Sequence, residues 1–248
     1  MKNSPNQPTK KIMLQNIKDL YHDKLSAVDG DIGHVKDFYF DDKTWMIRYL
    51  AVDTGTWLTG RLVLLAPHAL GKLNQFEKTL HVRLDKKQIE NSPSIESHLP
   101  VSRQYEAEYY RYYGWPAYWD AEAAWGLGGF PMVVPAPHVP PPHREDKHLQ
   151  STRSVNGFQI QTVDGVIGTV SGFMVDDRSW AIRELIVETG HWYSGKEILI
   201  SPSMIKHINY ENSSVEVKLT KVDIQQTAEH HLVHAGNEKP AAVSFPAE

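Results

Sequence analysis

The chain has 248 residues, 41% apolar and 23% charged, which suffices for two domains with real hydrophobic cores. Its formal net charge is -4 and no segment is a basic arm, so a nucleic-acid partner is not expected. It contains no cysteine, which excludes disulfides, zinc–thiolate sites and thiol catalysis.

Residues 1–13 are polar, opening MKNSPNQPTKK, and read as a disordered tail rather than a secretory signal. The apolar runs fall far short of the roughly 20 residues needed to span a bilayer. No membrane insertion and a cytoplasmic location are therefore expected. Residues 14–92 read as a first domain of short strands and turns. Residues 32–40 form a strand rich in β-branched and aromatic side chains. Asp41-Asp42-Lys43-Thr44 is a turn, because Asp and Thr side chains bond the nearby backbone. Residues 45–53 return as the partner strand. Residues 61–66 form a third strand, ended by Pro67. Residues 79–84 form a fourth, with Leu80, Val82 and Leu84 on one face. Residues 86–91 suit a helical turn. Gly30, after Asp29, suits a hairpin turn with positive φ, and Gly33 suits a bulge or corner.

A shift of 135 residues then lays the chain on itself without a gap. Val28-Asp29-Gly30 falls on Val163-Asp164-Gly165, and Ile32-Gly33 on Ile167-Gly168. Asp41-Asp42 falls on Asp176-Asp177. Trp45, Ile47 and Arg48 fall on Trp180, Ile182 and Arg183, and Trp57 on Trp192. Roughly half of the positions between 28 and 67 are identical, which marks a duplicated domain. The second copy spans 149–227. Strands at this spacing suggest two small closed antiparallel barrels in tandem, an all-β fold with short helical pieces.

Between the copies, residues 93–148 form an aromatic and proline-rich linker. Ser102 is placed to cap a short helix running to Tyr113. Tyr109, Tyr112, Tyr113, Trp115, Tyr118, Trp119 and Trp125 have two readings. They pack over a barrel or a subunit interface, or they form a recognition surface for a protein partner. His138, His143 and His148 recur at a spacing that fits neither helix nor strand. In the C-terminal tail, 228–248, His230 and His234 lack a third ligand and read as solvated.

No phosphate loop, dinucleotide fingerprint, H-E-x-x-H or G-x-S-x-G occurs, so no catalytic residue, metal ligand or cofactor is assigned. The doubled aspartates are turn residues. Arg48 with Asp53, and Arg183 with Glu188, are read as structural ion pairs, or as a small polar pocket at the barrel mouth. The repeat-defining residues Gly30, Gly33, Trp45, Arg48, Trp57, Gly165, Gly168, Trp180, Arg183 and Trp192 are read as scaffold.

V-D-G-x-I-G-x-V-x-x-F, followed by D-D-x-x-W-x-I-R-x-L-x-V-x-T-G and a strand ending in Pro, resembles the PRC-barrel domain in both copies. That domain is known from the photosynthetic reaction centre H subunit and from the C-terminal domain of a ribosome-maturation factor. The whole chain is similar to bacterial tandem PRC-barrel proteins. This chain shows neither the H subunit's membrane helix nor the maturation factor's N-terminal domain, so neither role transfers whole. The resemblance implies a non-enzymatic interaction or assembly module, with a protein partner or self-association. One alternative is a ligand-binding protein or enzyme with a pocket between the barrels, walled by Trp115, Trp119 and Trp125. A second is a reaction-centre-associated role in electron transfer.

Overall fold

The computed structural model describes residues 13–58, 61–74, 76–93, 103–119, 149–190 and 195–226. The chain forms two compact units, and their borders cut across the repeats. The first takes residues up to 154 together with 175–182; the second takes 155–174 and the chain from 183 onward.

The first unit begins with β1 (Leu14–Asn16) and a single turn of helix, α1 (Ile17–Leu20). The Asn16 side chain caps α1 by accepting the Lys18 N–H at 3.0 Å. Then come β2 (Lys24–Ala27), β3 (Gly30–Asp41), β4 (Met46–Asp53) and β5 (Val63–Leu65). β6 (Leu70–Asn74), β7 (Thr79–Val82) and α2 (Lys86–Glu90) follow. The sheet order is β5-β4-β3-β2-β7-β6. This corrects the expected closed antiparallel barrel in two respects. β2 and β7 pair in parallel, and β5 and β6 end the order without pairing to each other. The core lies on one face of this curved sheet, where Phe38, Phe40, Leu50 and Leu65 are fully buried. Each such side chain contributes roughly 1.5–3 kcal/mol.

Past the linker helix α3 (Arg103–Tyr113), β8 (Leu149–Ser151) adds an antiparallel strand to β3, pairing Tyr39 with Ser151 and Asp41 with Leu149. The strand that opens the second repeat thus extends the first unit's sheet. α4 (Thr152–Val155) follows, and Thr152 bonds the Tyr21 hydroxyl at 2.8 Å.

The second unit repeats the plan with β9 (Gln159–Thr162), β10 (Gly165–Asp176), β11 (Ile182–Thr189), β12 (Glu197–Ile200), β13 (Ile205–Asn209) and β14 (Ser214–Val217). Their order is β12-β11-β10-β9-β14-β13, again with one parallel pair, β9 with β14. Helix starts repeat too, with different residues. Asp85 and Gln88 cap α2 reciprocally. At the same place in the second copy, the Thr220 N–H donates to Asp223 and the Asp223 N–H donates to Thr220. Among the described residues, no helix is long and apolar enough to cross a membrane.

Candidate functional site

The expected turn residues sit where the spacing put them, and the geometry gives their reasons. The Asp41 main-chain oxygen accepts the Trp45 N–H at 2.7 Å. Its Oδ1 accepts the N–H groups of Lys43 at 2.9 Å and Thr44 at 3.1 Å. Asp176 does the same for Trp180, Arg178 and Ser179. Each loop closes on a tryptophan in the left-handed region, Trp45 at φ 56° and Trp180 at φ 58°. That conformation costs an L-residue roughly 1–2 kcal/mol, so the aspartate network must hold it. The sequence offered no sign of it.

Gly30 and Gly165 have φ of 130° and 127°, and each follows an aspartate with a second task. Asp29 accepts the Lys86 N–H at the start of α2, and Asp164 accepts the Lys221 N–H at the matching place. Gly33 lies at a register shift between β2 and β3, as expected for a bulge. A Cβ there would overlap the Asp53 carbonyl oxygen, and one at Gly168 would overlap that of Glu188.

Arg48 corrects an expectation. Five residues along a strand place Arg48 and Asp53 on opposite faces, about 16 Å apart. Arg48 pairs instead with Asp41 at 3.4 Å and donates to the Thr44 hydroxyl at 3.0 Å. Asp53 accepts the Gly55 N–H at 3.0 Å. Arg183 is exposed. Trp57 is half-buried, with the Lys86 ammonium 5.6 Å from its ring. Trp192 lies outside the described residues.

The linker aromatics divide. Tyr109 is no surface residue: it is fully buried, set edge-on to Tyr49 at 5.5 Å, and its hydroxyl accepts the Ala66 N–H at 2.9 Å. Burial holds the Tyr49 and Tyr109 hydroxyls well above the ordinary phenol range. Glu106, fully buried, accepts from Tyr49 at 3.1 Å and from Tyr118 at 2.9 Å. The Arg48 guanidinium lies 3.6 Å from the Tyr118 ring centre. Tyr113 stacks on Trp115 at 4.6 Å, and Trp115 stacks on His68 at 5.6 Å. Trp119 meets Tyr110 edge-on at 5.6 Å. Tyr112 is 42% exposed and donates to the Gln88 carbonyl. Ser102 and Trp125 lie outside the described residues, as do His138, His143, His148, His230 and His234.

This helix explains a feature of β4 and β5. Leu50, Val52 and Leu65 fill the core, while Tyr49, Ala51, Leu64 and Ala66 pack against α3. A sheet buried on both faces reads as a continuous apolar run. At the matching positions the second copy carries Glu184, Ile186, Leu199 and Ser201, and Leu199 is 42% exposed. The two copies agree on the core face and diverge on the face that α3 covers in the first.

A cavity of about 960 Å³ opens on the first unit along β3 and β4. Its wall includes His22, His34, Lys36, Asp37, Arg61 and Arg153. Neither Trp115 nor Trp119 lines it. Among the described residues, no three His, Asp or Glu side chains group as a metal site requires.

A family model for the PRC-barrel domain matches residues 12–89 and 151–224, more than half of the chain. The chain belongs to the PRC-barrel domain family. No curated protein matches it. The first PRC-barrel match ends before the aromatic helix begins, so α3 is an addition to the first copy. The cavity, by contrast, lies mainly within that first PRC-barrel copy. Sequence reasoning missed it because its residues come from β3, β4, α4 and the connections that carry His22 and Arg61, and share no motif.

Proposed function

We propose that this tandem PRC-barrel protein is a non-enzymatic protein-interaction or assembly module acting in the cytoplasm. One observation carries the reading. Two aspartates shared by both copies, Asp29 and Asp41 with their counterparts Asp164 and Asp176, hold turns or helix starts. The unshared aromatic segment, after packing on the sheet, keeps Tyr112 exposed and Trp115, Tyr118 and Trp119 half-exposed. Partly exposed Tyr and Trp anchored by buried neighbours are the residue types that dominate protein-binding hot spots.

The test compares partners captured from the native cell by tagged wild type and by Tyr112→Ala/Trp119→Ala. Sedimentation velocity over a range of concentrations measures self-association of both. A stoichiometric partner, or a second copy, that the variant loses while its β-sheet signal persists supports the reading. A wild-type chain that stays monomeric and captures nothing beyond what the variant captures overturns it.

A further inference from the structure

The cavity along β3 and β4 has an uneven charge distribution. His22, His34, Lys36, Arg61 and Arg153 line it, against two carboxylates, Asp37 and Asp53. Both carboxylates already have donors within the fold. Asp37 is 9% exposed and accepts the N–H groups of Phe38 at 2.7 Å and Arg153 at 3.3 Å, and the hydroxyls of Ser151 and Thr152. Asp53 accepts the Gly55 N–H. The bases are less committed. His34 and Lys36 are exposed on β3, and no described residue accepts from either side chain. Arg61 gives its terminal nitrogens to the Glu90 and Ser92 carbonyls, but its buried Nε–H has no acceptor among the described residues.

The second copy serves as an internal comparison. At the places of His22, His34 and Lys36 it carries Gly157, Thr169 and Ser171, and Gly172 replaces Asp37. His22, His34 and Lys36 are therefore no requirement of the PRC-barrel fold. His22, His34, Lys36 and Asp37 are particular to the first copy, whereas Arg61 has a basic counterpart, Lys196, in the second. The volume is that of a metabolite-sized site.

We propose that this groove binds a small multivalent anion through its phosphate or carboxylate groups. Lys36 and Arg153 supply charge-assisted donors, His34 supplies an imidazole N–H, and Tyr39, half-buried on the same wall, supplies an apolar platform. The proposal goes beyond the assembly reading and stands whether or not that reading survives.

The test is calorimetric titration of the full chain with pyrophosphate and, separately, with citrate. The comparison is His34→Glu/Lys36→Glu, with Lys218→Glu as a charge change on the second copy. Both groove positions are exposed, so circular dichroism should be unchanged; if it is not, Lys36→Gln replaces the double variant. Saturable binding of either anion, weakened about tenfold or more in the groove variant and kept in Lys218→Glu, is expected. The preferred anion distinguishes a phosphate from a carboxylate ligand. Absence of saturable binding to the wild type, or equal binding by the groove variant, overturns the proposal.

Discussion

Met46 and Ala181 face each other across an antiparallel bridge, and a shift of 135 residues turns one position into the other. The flanking hydrogen bonds share the relation. The Ile47 N–H donates to the Trp180 carbonyl at 2.9 Å, and the Ile182 N–H donates to the Trp45 carbonyl at 2.8 Å. Residue i meets residue j and j meets i, which is the rule of a two-fold contact between like segments. Here one chain supplies both segments, and both lie in the first compact unit. The Trp180 ring, 8% exposed, stacks on Phe38 at 6.0 Å.

Trp180→Ala should therefore destabilise the first unit, although it changes the second repeat. The expected loss is about 3 kcal/mol, as for other buried aromatics. Trp45 is only half-buried, so Trp45→Ala should cost less. Urea unfolding of the two variants checks the order.

Gly33→Ala should be among the most damaging single changes. It forces a Cβ onto the Asp53 carbonyl oxygen and a left-handed backbone at φ 133°. A loss above about 2 kcal/mol is expected. Gly55→Ala, at φ 57° with open space around it, should cost only about 1 kcal/mol. Thermal melts of the pair separate close approach from φ alone.

Tyr49→Phe keeps the ring against Tyr109 and removes one donor from buried Glu106. A loss of about 1–3 kcal/mol is expected, because a buried acceptor is left with fewer partners. Tyr112→Phe removes an exposed hydroxyl and should stay within about 0.5 kcal/mol of wild type. Equal losses in the two variants would contradict the buried network.

Alkaline pH should weaken the fold. Burial raises Tyr21 and Tyr113 from the usual 10.0 to about 12, and holds Tyr49 and Tyr109 well above 10.0 too. Between these values the unfolded chain releases phenol protons that the folded chain retains. Stability is thus full below pH 10 and falls as pH rises toward 12 and above. Tyrosinate absorbance should appear together with loss of the β-sheet dichroism for these side chains. Their ionisation in a chain that keeps its sheet signal would contradict the burial.

The repeat, the hairpin turns, the glycine positions and the family were legible in the sequence because they depend on local chemistry. An aspartate bonding the next N–H groups, or a glycine at positive φ, leaves its mark within a few residues. Alternation along 79–84 showed a core face for the same reason. The short strands β2 and β6 were less visible, since Lys-Leu-Ser-Ala and Leu-Gly-Lys-Leu-Asn carry little strand signal. β2 is held between the neighbouring β3 and the distant β7, and β6 pairs with β7 across a turn.

Tertiary structure alone decided the rest. The chain's own pattern could not say that β8 would join β3, that Trp180 would stack on Phe38, or that α3 would bury Tyr109 over β4 and β5. Nor could it redirect Arg48 from Asp53 to Asp41 without the face each occupies. These contacts follow from which surfaces meet once each sheet has formed, and residues far apart in sequence encode that only jointly. The duplication was written in the sequence. The pairing of β8 with β3, and the groove along β3 and β4, exist only in three dimensions.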